Sequence, residues 1–260
     1  MSNIHAIGRE RHSTLRWQHN TSYNFAATEG LTPLVAQELP AAMQTMPIAF
    51  LETEGSALIP FAMQGLAPGK NLFVAGNGQW VGAYIPAALR AYPFSLANTA
   101  DHQQVLCIDE DSGLLSQSSG EPFWDEAGQP ATGVTEVFQM LIRVEANRPV
   151  THKICLLLQK HQLIKPWPLK VKNETSEQAV EGLFCIDETA LNQLPAEALL
   201  ELRNTGALLC AYCQLLSMQN IQTLGQMAAI HAKAAAHLPS KNRNEMDLSF
   251  LEGRDLLKFF

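Results

Sequence analysis

The chain has 260 residues, 47% of them hydrophobic and 17% charged, with a formal net charge of −7. That length can bury a sizeable core as one large domain or two small ones, and the composition excludes general disorder. The acidic balance offers no diffuse attraction for a polyphosphate backbone, and the basic runs "GRERHSTLR" and "SKNRNE" lack the interleaved aromatics of a single-strand surface, so nucleic acid is not an expected partner.

The opening "MSNIHAIGRERHSTLRW" turns charged at once and has no apolar core of signal length. No apolar run reaches membrane-spanning length either, which places the protein in the cytoplasm. "MPIAF" at 46–50 and "ALIPFAM" at 57–63 flank the polar turn "ETEGS" and predict a hairpin, with Pro60 marking an edge or a bulge. In "NLFVAGNGQWVGAYIP", Asn77-Gly78 separates two β-forming runs and predicts a type I′ hairpin turn. Pro86 and Pro93 bracket "AALRAYP" and leave room for about two helical turns.

A strand "QVLCID" follows, then the crossing "EDSGLLSQSSGEPFWDEAGQP". Its glycine, serine and proline content predicts irregular structure, pinned to the body by Phe123 and Trp124. From Thr132 the period changes: Val134, Val137, Phe138, Leu141 and Ile142 recur three and four apart, as do Ile154, Leu157 and Leu158 beyond Arg148-Pro149. Two consecutive helices with a short turn at the proline are predicted. "KPWPLKV" and "EGLFCID" return to strand character around the polar "KNETSEQA". A long helical run then begins near Pro195, suited to a first helical position, with a bend or break at Gly206 or near Ser217. The tail from Pro239 is less tightly integrated, and its "LLKFF" is a candidate to dock on the body or on a partner. The fold class is α+β: mainly antiparallel sheet in the N-terminal half, with helices packed from the middle and C-terminal half. A single domain over 1–260 is expected, with two related strand-turn substructures near 105–115 and 183–194.

Those substructures carry a repeated Cys-Ile-Asp-Glu, in "LCIDED" and "FCIDET". Adjacent strand residues face opposite sides, so the two carboxylates of one pair do not converge on one atom. Asp109, Glu110, Asp187 and Glu188 therefore read as turn or cap residues at strand exits, where a short acidic side chain accepts from free amides. The competing reading joins Asp109 and Asp187 as an acid and base or an oxygen-rich metal site, but their spacing supplies neither a third ligand nor a poised histidine. Cys210-Ala-Tyr-Cys213 has the spacing of a redox pair or half a zinc site, yet it lies in an apolar helical run without a second pair, where small core residues serve equally well. The odd total of five cysteines suits buried free thiols. The eight histidines contain no short metal motif; His12 and His19 stand out because an aromatic pattern, Trp17, Tyr23 and Phe25, resumes beside them. Phosphate-binding glycine motifs and a Gly-x-Ser-x-Gly elbow are absent. No cofactor and no metal site are expected. Trp80, Tyr84, Arg90, Tyr92 and Phe94 form the densest aromatic stretch, with Arg90 its one base. They are the candidate contacts for a partner protein, a peptide or a small ligand, or else the core edge of the first sheet.

The chain resembles the SapC family of bacterial proteins through "GRERHSTLRW", "YNFAATEGLTPLVAQELPAAMQTMPIAF", "NLFVAGNGQWVGAYIPAALRAYPF", "VLCIDEDSGLL" and "GLFCIDETALNQLPAEALLELRNTGALLCAYCQLLSMQNIQTL", in that order over about 9–224. The residues that match its shared pattern are Glu38, Pro47, Asn71, Trp80, Tyr84, Pro86, Arg90, Tyr92, Pro93, Phe94, Asp109, Glu110, Asp187 and Asn220. The resemblance implies association with a bacterial surface layer and with genes for outer-membrane receptors and modifying enzymes, but no catalytic set. A transporter permease that shares the family's label is excluded by the lack of spans. Where the family form often has Arg-Arg-Tyr-Pro-Phe, this chain has Ala91 before Tyr92, which halves a basic pair and leaves Arg90. The leading expectation is a soluble accessory or binding protein acting with outer-membrane uptake or surface-associated systems. Its alternatives are an enzyme using a metal or a redox partner near the two Asp-Glu exits, and a structural component of a surface layer.

Overall fold

The computed structural model describes residues 3–53, 57–101, 103–172 and 177–237. The "SKNRNE" run and the "LLKFF" tail lie outside the described residues, as does part of the "ETEGS" turn. The chain opens with β1 (Ile4–Ala6), α1 (Arg9–His12), β2 (Arg16–Trp17), β3 (Leu31–Pro33) and α2 (Leu39–Ala42). The hairpin follows as β4 (Ile48–Glu52) and β5 (Leu58–Met63), registered Phe50 to Pro60 and Ala49 to Phe61. Pro60 marks neither an edge nor a bulge, because β5 lies between β4 and β3. Its carbonyl accepts from Leu34 N–H, just past the end of β3, so the missing proline donor also points where the short neighbour has run out.

The Asn77-Gly78 turn forms with a different backbone. Positive φ falls on Gly78 alone, Gly78 N–H donates to Ala75 and Ala75 N–H to Gln79. This is a type I turn closed by a left-handed glycine rather than a type I′ turn. Next come α3 (Ala87–Arg90), β6 (Phe94–Asn98) and β7 (Gln104–Asp109). The prolines confine α3 to four residues, and the Tyr92-Pro93 bond after it is cis. The crossing is not wholly irregular: β8 (Leu115–Ser116) and β9 (Glu121–Pro122) flank β2 in a three-stranded sheet. Strands of two residues leave no period to read. Phe123 is buried and Trp124 packs beside it, so the aromatics do tie the crossing down.

One helix, α4 (Thr132–Lys160), replaces the predicted pair. Pro149 sits inside it on the solvent side, where it removes one helical hydrogen bond. Burial at both ends outweighs that loss: Val134 enters one core while Ile154, Cys155 and Leu158 enter another. Thr151 Oγ1 also donates to Asn147 O at 2.8 Å, holding the turn around the proline. Beyond α4 lie β10 (Ile164–Pro166), β11 (Leu169–Lys172), β12 (Glu177–Val180), β13 (Leu183–Ile186), α5 (Glu188–Asn192), α6 (Ala196–Thr205), α7 (Ala207–Ser217) and α8 (Asn220–His237). Pro195 caps α6 from one position outside it, and Gly206, at φ +82°, breaks α6 from α7 as its spacing predicts.

The fold is α+β. All five strands of the larger sheet, ordered β10-β13-β4-β5-β3, pair antiparallel, and two of them come from the C-terminal half. Its core is closed by α2, α6, α7 and the second half of α4. Gln214 of α7, wholly buried, accepts Ile186 N–H at 2.9 Å and donates to Ile48 O at 3.0 Å, so one amide ties the helix to two strands. A second sheet, β1-β7-β6, packs on the first half of α4 around Trp17, Phe94, Ile108 and Phe123. The middle of α4 passes between the two cores.

Candidate binding groove

Two cavities lie along that middle stretch. The first, of about 200 Å³, is lined by Trp17, His19, Asn20, Tyr23, Tyr92 and Phe94, with Val137 of α4. The second, of about 230 Å³, is lined by Gln37, Glu38, Tyr84, Met140, Arg143 and Val144 among others. Arg90 lines both. Val137, Met140 and Val144 recur at helical spacing, so one face of α4 passes through both cavities.

The shelf that carries Arg90 is held by a buried carboxylate. Glu38, only 7% exposed, accepts Ala87 N–H at 2.7 Å and the Tyr84 hydroxyl at 2.7 Å on Oε1, and Val35 N–H at 3.1 Å on Oε2. The two amides are buried donors that would otherwise be left unpaired inside the protein. The 3₁₀ turn that carries Glu38 is tied to α4, since Ala36 N–H donates to Thr151 Oγ1 and Gln37 N–H to Asn147 Oδ1. Burial and the Glu38 carboxylate push the Tyr84 phenol far above its ordinary range, which keeps it a donor.

Aromatic contacts order the remaining walls. Trp80 stacks on Phe73 at 5.4 Å, meets Tyr23 edge-on at 5.5 Å and donates from Nε1 to Tyr84 O at 2.9 Å. Tyr23 N–H in turn donates to Gly78 O, so the left-handed glycine turn holds the arm from Trp17 to Tyr23 in place. Tyr92 stacks on Phe25 at 3.9 Å. The Arg90 guanidinium lies 6.0 Å from the Tyr84 ring centre and makes no hydrogen bond or ion pair among the described residues. Its charge opposes the upward push of burial on both the Tyr23 and Tyr84 phenols.

Of the sequence-predicted contacts, Arg90 is exposed, Trp80, Tyr84 and Tyr92 are half-buried, and Phe94, 5% exposed, is a core residue packed on Trp17. Phe94 therefore supplies a wall rather than a free side chain. Arg143 of α4 lines the second cavity with Arg90. Arg143 lies in the other half of the sequence, so no local pattern could signal it. Glu38 was visible only as part of the shared family pattern.

The acidic exits lie apart, in different sheets. Asp109 accepts from Asp111 N–H and Asn3 N–H, each at 3.1 Å. Asp187 accepts from Thr189 and Ala190 and pairs with Lys165 at 3.0 Å, and these contacts hold its carboxyl below the ordinary range. Glu110 pairs with Arg11, which holds it low as well, and lies 3.3 Å from the buried His12. Glu188 opens α5. His19 pairs with Glu121 at 2.9 Å, and among the described residues no three His, Cys, Asp or Glu side chains are placed to hold a metal ion. Cys155, Cys210 and Cys213 are buried free thiols, the first two pushed up to about 12 chiefly by burial. No described helix is long and apolar enough to cross a membrane.

A family model described as SapC matches residues 7–224 of the chain. No curated protein and no solved structure matches it.

Proposed function

The chain belongs to the SapC family, and we propose that it is a binding protein that holds a peptide or small ligand in the groove over the middle of α4. The observation that carries this reading is Arg90, an uncommitted guanidinium that forms the common wall of two cavities. Aromatic side chains on either side offer large contact area at low conformational cost, and arginine adds a directed charge. Glu38, buried beneath the shelf, serves as a positioning residue: it fixes the Ala87 amide that opens α3 and the Tyr84 hydroxyl beside Arg90.

In the cell, the reading assigns an accessory role in the cytoplasm, alongside outer-membrane uptake or surface-associated systems. Capture experiments test it. Native wild-type protein and Arg90→Gln are purified in parallel, and the bound peptides, proteins and small molecules are identified. The expected result is a species retained by the wild type and lost from Arg90→Gln. Identical sets from both proteins would reject the groove.

A further inference from the structure

We infer that the first cavity is a carboxylate-binding site, so that the ligand of the groove enters it with a carboxylate. The inference rests on the binding reading above and adds the chemistry of the group recognised. Trp17, 2% exposed, carries a buried indole Nε1 without a hydrogen-bond partner, and Asn20 Nδ2 is buried and unpaired as well. Both residues line this cavity together with Arg90. An indole N–H can only donate, an amide nitrogen brings two donors and a guanidinium five. No aspartate or glutamate lines the cavity, and the nearby Glu121 is paired with His19.

Buried donors without acceptors are rare because their desolvation is uncompensated. Two such donors, on residues lining a cavity that also presents the exposed Arg90 guanidinium, match a ligand that only accepts. The aromatic walls, Trp17, Tyr23, Tyr92 and Phe94, suit the organic part beside a planar two-oxygen anion, which arginine grips with two parallel bonds. Two sources offer that chemistry, a small organic acid and the terminal carboxylate of a peptide. The second cavity, with Met140, Arg143 and Val144, gives a peptide further contacts that a small acid does not reach.

The probes are N-acetylphenylalanine, N-acetyl-Ala-Ala-Phe and the C-terminal amide of each, titrated by calorimetry and by the indole N–H signals in nuclear magnetic resonance. The expected result is that an acid binds at least about tenfold more tightly than its amide, shifts the Trp17 indole signal, and weakens with added salt. Arg90→Gln and Asn20→Ala should each lower the acid-to-amide ratio. Trp17→Phe removes the donor and keeps a ring; if that core change prevents folding, Asn20→Ala at its half-buried position carries the test. Tighter binding of the peptide acid assigns the carboxylate to a chain end, and binding of the amino-acid derivative alone assigns it to a small acid. Acid and amide binding equally, yet dependent on Arg90, would overturn the carboxylate site and leave the groove standing. Absence of binding by all four probes at millimolar concentration would overturn it too, with parallel capture by wild type and Arg90→Gln then judging the groove separately.

Discussion

Replacing Glu38 with alanine should unfold the shelf that carries Arg90 before it disturbs anything else. The substitution strands the Val35 and Ala87 amides, both buried, and frees the half-buried Tyr84 hydroxyl, which can turn toward water. Two buried donors left unpaired cost about 1–3 kcal/mol each, so the expected loss is about 2–6 kcal/mol. For a chain of this size that lowers the melting temperature by roughly 5–15 °C. Glu38→Gln keeps one accepting oxygen but turns a donor toward one of the amides, and should lose about half as much. Thermal melts by circular dichroism, with urea unfolding to check that the dependence on denaturant is unchanged, measure both. A melting temperature within about 1 °C of wild type for Glu38→Ala would refute the reasoning, because buried donors would then be satisfied without the carboxylate.

Acid should destabilise the protein through its depressed carboxylates. Glu110, held low by Arg11, Asp187, held low by Lys165 and two amides, and Glu201, held low by Lys160 and His161, all favour the folded state above the unfolded carboxylate pKa. That contribution is lost as pH falls through their folded values, below about 4.5. The acid limb of the melting temperature should be shallower in Glu110→Gln, and an unchanged limb would contradict the Arg11 pairing. The five cysteines, all buried and reduced, should react with a thiol reagent at about pH 8 only after denaturant is added; rapid reaction of Cys210 or Cys213 in the native protein would reopen a redox reading. Pro149→Ala should restore a helical hydrogen bond on an exposed face of α4 and stabilise the protein by about 1 kcal/mol or more. Destabilisation would mean that the proline shapes the groove.

The parts of this fold that were legible in the sequence are those whose period is long enough to read. The hairpin of β4 and β5, the helical run broken at Gly206 and the strand exits at Asp109 and Asp187 all carry local signals, in alternation, a left-handed glycine and short acidic caps. Pro149 misled because proline disfavours helix locally, whereas α4 is held by burial in two separate cores. Pro60 misled for a related reason, since a neighbouring strand three residues long leaves its missing donor unopposed. The aromatic stretch at 80–94 supplies residues that line both cavities, yet it mixes core and surface: Phe94 is buried while Arg90 is open. Glu38, Arg143 and Trp17 join the groove only through tertiary contacts, from segments that look like ordinary helix and strand when taken alone.

Hydrogen exchange on the protein with and without its captured ligand tests the central claim most directly. The groove reading predicts protection of the amides in 80–94 and along α4 around Val137 to Val144, lost when Arg90→Gln is measured under the same conditions. Protection confined to other surfaces, or equal protection in wild type and Arg90→Gln, would contradict it.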